Sequence, residues 1–241
     1  MHIDYRHVSE FPGWAEAPKL LRQLIEENQS KSVLEIGSGA NPTLSAEEVL
    51  SLGIEYTTND LSATELDKAP PAFLKWEANL CSPIIAEIHN KRYQLIFSRM
   101  VNEHIQDGEM YYKNLYTLLE PGGVTAHCFS TLYALPFVFN RLLPDGLTDR
   151  LLDFFNPRDR HQHEKFPAYY SWSRGPSSKA IRRFENLGFE VVEYIGYFGH
   201  GYYQNRAPFL DRLEQKKAQW LVKNPLPILT SYAYVLLKKL D

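Results

Sequence analysis

Cysteine is nearly missing: Cys81 and Cys128 are the only two in 241 residues. They could form one bridge at most, and neither belongs to a CxxC pair, which excludes a disulfide scaffold and a thiolate-built structural zinc. A reduced, cytoplasmic setting is the expectation. A surplus of positive charge is missing too: 26 Lys+Arg face 29 Asp+Glu, a formal net charge of −3. Gripping nucleic acid over a wide surface needs the opposite balance, so a nucleic-acid partner is not expected. No stretch approaches the roughly 18 uninterrupted apolar residues of a membrane span. The start, Met1-His2-Ile3-Asp4-Tyr5-Arg6, lacks the apolar region of a secretory signal. Internal repeats and low-complexity tracts are absent as well. What is present, 44% hydrophobic and 23% charged residues, is ordinary globular composition. The length suits one α/β domain with insertions.

Strand and helix patterns alternate along the first half. Pro18 to Gln29 carries Leu20, Leu21, Leu24 and Ile25 at helical spacing, within an N-terminal helical segment over 1–30. Ser32–Ile36 reads as a strand running into the turn Gly37-Ser38-Gly39-Ala40-Asn41-Pro42. A helix over 46–52 and a strand over 54–58 follow, the latter ending at Asn59-Asp60. Further strands are expected at 72–76, 93–97 and 124–129, with a helix starting near Pro83 and another over 108–119. The rhythm breaks at 131–173, which holds nine aromatics and four prolines. It resumes with a helix over 177–187, a strand over 189–195, an irregular piece over 196–227 with a helix near 208–222, and a last strand near 229–238. The seven strands predict a Rossmann-like, mostly parallel sheet with helices on both faces. Its divisions are a core over 31–130, an aromatic-rich insertion lid over 131–173, and a C-terminal completion over 174–241 with a second insertion at 196–227. Aromatics mark the division: 11 of 32 fall in residues 1–120 and 21 in 121–241.

Ligands of such sheets bind at the carboxyl ends of the strands. Gly37 and Gly39 permit a tight turn there and close approach to the backbone. Asp60 lies 60 − 39 = 21 residues beyond Gly39, the separation at which an acid meets ribose hydroxyls. The third glycine of the dinucleotide fingerprint is replaced by Pro42, and Glu35 brings a negative charge to the loop entrance. Both disfavour a pyrophosphate; a carboxylate there suits a cation or ammonium group.

Val33-Leu34-Glu35-Ile36-Gly37-Ser38-Gly39 resembles motif I of the class I S-adenosylmethionine-dependent methyltransferases. Ala78-Asn79-Leu80 resembles the adenine-contacting segment after the third strand. Leu95–Ser98 with Val101-Asn102-Glu103-His104-Ile105 is similar to the motif after the fourth, and Leu118–Gly123 to the turn before the fifth. The match spans roughly residues 31–130. It implies S-adenosyl-L-methionine as cofactor, with the Gly37–Gly39 backbone and Ser38 beside its methionine part. Asp60 would hold the ribose diol, Leu61 would pack on adenine, Asn79 with Leu80 would meet the adenine edge, and Ser98 and Arg99 would line the methionine side. It also implies an antiparallel last strand beside the sixth.

A metal is not expected, because the Glu-x-x-Glu-His group of some relatives has Met100 at its first position. His161 and His163, alternate residues in the insertion, and His104 are the candidate catalytic bases, since a neutral imidazole can take a hydroxyl proton near pH 7. The expected activity is methyl transfer to a small or medium-sized acceptor, an oxygen on a sugar or secondary metabolite. The alternatives are an RNA or protein methyltransferase, or a non-catalytic cofactor-binding protein on the same fold.

Overall fold

The computed structural model describes residues 1–83, 90–132, 167–204 and 207–240. Eight strands form one sheet: β1 His2–His7, β2 Ser32–Ile36, β3 Glu55–Asp60, β4 Leu74–Glu77, β5 Tyr93–Arg99, β6 Leu119–Ser130, β7 Phe189–Phe198 and β8 Tyr232–Lys239. Their order is β1-β7-β8-β6-β5-β2-β3-β4. Every pairing is parallel except the two that β8 makes with β6 and β7. The carboxyl ends of β1 to β7 therefore share one rim, and β8 enters the sheet at that same rim with Tyr232.

Neighbouring residues on a strand point to opposite faces, and both faces are covered. Val33, Leu95 and Phe97 join Leu21, Leu24 and Ile25 of α1 (Ala17–Glu27) and Val49 of α2 (Ala46–Leu52) in one core. Leu34, Ile96 and Val235 join Tyr111, Leu115 and Leu118 of the helix Gly108–Leu118, and Phe184 of the helix Ser178–Asn186, in the other. With the short α3 (Ala63–Asp67) intervening, these two helices are α4 and α5. Side chains cap their starts as the sequence allows: Asp107 accepts from Met110 N, Ser177 from Ala180 N, and Ser45 forms a capping box with Glu48.

The sheet has one strand more than the seven expected. Residues 2–7, read as part of a helical segment, pair in parallel with β7 as an edge strand. Half-exposed, they alternate polar and apolar side chains without an apolar run, and their order comes from the ladder rather than from burial. The piece 196–227 also differs from a plain insertion. Residues 196–198 finish β7, and α6 (Pro208–Lys223) packs on β1 and β7, with Ala218 and Leu221 buried against Phe198. The helix start near Pro83, most of the lid at 131–173, and His161 and His163 lie outside the described residues. Among the described residues no helix is long and apolar enough to cross a membrane.

Candidate functional site

The turn after β2 is built around Glu35 and Asn59. Glu35 is 2% exposed. One of its oxygens accepts from Thr43 N at 2.9 Å and Tyr56 OH at 2.6 Å, and the other from the Thr43 hydroxyl. Burial pushes this carboxyl up, against those hydrogen bonds and the positive field of Arg99. Glu35 thus ties down the far side of the turn, which corrects the expectation that it faces the ligand. Asn59, which sequence reasoning missed, organises two segments at once. Its backbone carbonyl accepts from Gly37 N (2.8 Å) and Ser38 N (3.2 Å), and its side-chain amide donates to Trp76 O (2.8 Å) and Ala78 O (3.1 Å). The loop's first two N–H groups are therefore spent internally rather than on a ligand.

Gly37 and Gly39 have φ of +66° and +43°, and a Cβ on Gly39 would come within 2.8 Å of Asp60 Oδ2. A Cβ on Gly37 would run into Val101, so at both glycines only the bare backbone lets the turn pack this closely. Ser38 Oγ, between them, is buried without a hydrogen-bond partner among the described residues. Asp60, at the end of β3, accepts from Ser62 N at 3.1 Å through Oδ1 and turns Oδ2 toward Gly39. Leu61 next to it is 58% exposed. An orphaned hydroxyl, a glycine turn, an acid and an exposed apolar side chain fit the parts of an adenosyl-amino-acid ligand.

Three expected contacts are redirected. Asn79 is exposed, but its amide oxygen already accepts from Cys81 N at 2.9 Å, using one of two lone pairs. Leu80 is 4% exposed and packs in the core beneath α4. Ser98 is fully buried, its hydroxyl 2.7 Å from His127 Nδ1 and donating to Asn102 Oδ1 at 3.0 Å. Ser98 is turned into the sheet's other face by its place near the end of β5, and Leu80, in the turn after β4, is packed into the core on that face. Arg99, half-buried on the opposite face, makes no hydrogen bond or ion pair among the described residues, and its charge is felt by Glu35.

Beyond Arg99 the chain turns through Met100 (φ +56°) into a short helical turn, Asn102–His104. His104 Nδ1 donates to Pro167 O at 3.0 Å, tying this loop to the returning end of the 131–173 segment. The Glu103 carbonyl accepts from Tyr169 N (2.8 Å) and Tyr170 N (2.9 Å). Tyr170 and Tyr232 are buried in the same core, Tyr202 packs against it, and Trp14 meets Tyr232 edge-on at 5.1 Å. The rim beyond β6 is therefore walled by tyrosines. No cluster of three or more His, Cys, Asp or Glu able to hold a metal exists among the described residues.

A family model described as "Methyltransferase domain" matches residues 13–194. No curated protein matches the sequence. Among solved structures, the chain is similar to the N-methyltransferase NodS of Bradyrhizobium japonicum in complex with S-adenosyl-L-homocysteine. The TM-score is 0.53 at 12% identity, over 97% of this chain and 91% of that one. It is similar to phosphoethanolamine N-methyltransferase 2 of Haemonchus contortus in complex with S-adenosyl-L-methionine, with a TM-score of 0.56 at 16% identity over 95% of this chain and 53% of that one. A third, a putative S-adenosylmethionine-dependent methyltransferase of Listeria monocytogenes, gives 0.53 at 13% identity over 92% and 96%. At these identities the likeness is one of fold. The family match covers most of the chain, the sheet is mostly parallel with the antiparallel last strand that the motifs imply, and the chain belongs to the class I S-adenosylmethionine-dependent methyltransferases.

Proposed function

We propose that this enzyme binds S-adenosyl-L-methionine across the β2–β3 rim and methylates a hydroxyl of a small acceptor, a sugar or secondary metabolite, seated at the tyrosine-walled rim beyond β6. The observation that carries the cofactor half is the turn itself: two left-handed glycines, Ser38 between them with a buried hydroxyl that no described residue pairs, and Asp60 Oδ2 close beside Gly39. Asp60 accepts from the ribose hydroxyls, Leu61 covers the adenine face, and Arg99 attracts the methionine carboxylate. Bound there, the cofactor supplies a methyl group on a sulfonium whose departure needs no protonation.

The acceptor half rests on the tyrosines. Ring faces give apolar contact to sugar carbons or aromatic metabolites while hydroxyls fix orientation. The segment 131–173 is the acceptor lid in this reading, supported by the way residues 167–170 are held on the loop after β5. The acidic overall balance supports a small molecule over a nucleic acid as partner.

Calorimetry with S-adenosylmethionine and S-adenosylhomocysteine tests the cofactor half. Wild type should bind both, and Asp60→Ala should weaken each about tenfold or more, the scale of hydrogen bonds to a charged group. Wild type that binds neither sinks the reading.

A further inference from the structure

The Glu103 carboxyl carries chemistry that cofactor binding does not use. It is 4% exposed. Ser130 Oγ donates to Oε1 at 3.0 Å, but Oε2 is buried with no hydrogen-bond partner among the described residues. A carboxyl oxygen left so is costly, and such an atom in a native fold calls for a ligand or a catalytic role.

Its surroundings meet that requirement. Two non-glycine residues in the left-handed region bracket it: Met100 (φ +56°) three residues earlier, and Tyr170 (φ +51°), whose N–H is held by the Glu103 carbonyl. Strain of this kind persists where the structure over-determines it, and it gathers at working sites. A Cβ on Gly37 would lie 2.5 Å from Val101 Cγ2, so the glycine turn touches the loop two residues before Glu103. On the other side Ser130 pairs with Tyr232 across β6 and β8, and the Glu103 charge is felt by Tyr232, which also neighbours Tyr170 and Tyr202. The orphaned oxygen therefore stands on the loop that joins the cofactor cradle to the tyrosine wall.

We propose that Glu103 is the catalytic base, its Oε2 taking the acceptor's hydroxyl proton as that oxygen receives the methyl group. The inference rests on the hydroxyl-acceptor reading above. In the step, a lone pair of the acceptor oxygen forms the bond to the methyl carbon. The carbon–sulfur bond breaks with its electron pair remaining on sulfur, and the O–H proton passes to Oε2. A positive sulfonium and a carboxylate become a neutral thioether and a neutral carboxylic acid, so charge balances within the site. Burial raises the Glu103 carboxyl above the ordinary range, against the field of His104 and the hydrogen bond from Ser130, which makes it a better base than an exposed glutamate. This gives Glu103 the proton-accepting role for which the sequence suggested His161, His163 and His104.

Sinefungin tests this without knowing the acceptor, because it carries an amine-bearing carbon where the cofactor has its methylated sulfur. A carboxylate aimed at the transferred methyl should hold that ammonium. By calorimetry at neutral pH, wild type should prefer sinefungin over S-adenosylhomocysteine by about tenfold, the scale of one charge-assisted hydrogen bond. Glu103→Gln should level the preference while its S-adenosylhomocysteine affinity stays within about twofold of wild type; Glu103→Asp, with the charge drawn back, should retain part of it. A preference that survives in Glu103→Gln overturns the proposal. So does wild type that binds S-adenosylhomocysteine without preferring sinefungin, a result that needs no variant to fold. Wild type that binds neither ligand removes the cofactor reading first, and the base with it.

Discussion

At the residue scale, the candidate site separates side chains that wait for a ligand from side chains that hold the frame. Leu61 and Leu80 show the difference. Both are leucines beside a predicted cofactor contact, yet one is 58% exposed and the other 4%. Leu61→Ser should leave stability within about 0.5 kcal/mol, since little apolar surface is withdrawn from water in the protein alone. It should weaken S-adenosylhomocysteine binding several-fold, as an adenine face loses its cover. Thermal unfolding and calorimetry on the same sample decide it: lost stability with unchanged affinity would make Leu61 a frame residue. Spacing alone singles out Asp60 and the glycines, and the fold brings Asp60 Oδ2 up against Gly39. Spacing does not tell which way each side chain points. Glu35 and Ser98 turn inward by strand alternation, Leu80 by packing against the helix layer, and Asn59 gives no sequence signal for the two loops it joins.

At the scale of elements, the alternation of apolar runs and turn residues made the seven core strands legible: six carry buried positions, and β4, exposed along most of its length, is marked by its place in the alternation. β1 is different in kind. His2–His7 lies at the sheet edge with Asp4 and Arg6 paired at 2.7 Å on its surface, and its anchor is Tyr5. That ring stacks on Phe198 at 5.8 Å, and its hydroxyl donates to Pro176 O at 2.9 Å. A six-residue ladder and one half-buried aromatic contribute roughly 2–4 kcal/mol. Removing residues 1–7 should therefore lower the thermal midpoint by roughly 4–16 °C, given the usual 2–4 °C per kcal/mol at this size. It should also promote self-association, because the β7 edge loses its cover. Cofactor binding should persist, since the cradle lies five strands away across the sheet. Light scattering and unfolding curves that match wild type would mean that β1 adds nothing to the sheet.

At the scale of the whole molecule, a buried hydrogen-bond relay couples sheet, site loop and helix layer. Thr125 Oγ1 lies 2.7 Å from His127 Nε2, His127 Nδ1 lies 2.7 Å from Ser98 Oγ, Ser98 donates to Asn102 Oδ1 at 3.0 Å, and Asn102 donates to Tyr112 OH at 2.7 Å. With the Ser98 proton directed at Asn102, His127 must carry its own on Nδ1 and accept from Thr125 through Nε2. Every member is then satisfied with the imidazole neutral, and a second ring proton would displace the hydrogen bond that Thr125 donates. Burial pushes His127 down to about 3, so the folded protein refuses a proton that the unfolded chain takes up near pH 6.5. Stability from this group is complete above about pH 6.5 and falls as pH drops toward the folded value, at most by about 1.4 kcal/mol per pH unit. The buried carboxyls Glu35 and Glu103 act with the opposite sign: both are raised, so they favour the folded state at low pH and oppose it once ionised. Comparing wild type with His127→Gln removes that shared background. Urea unfolding at pH 6.5 and 4.5 should show wild type losing roughly 2–3 kcal/mol more than the variant over this interval. Parallel stability profiles for the two proteins would show that His127 is protonated in the fold at little cost.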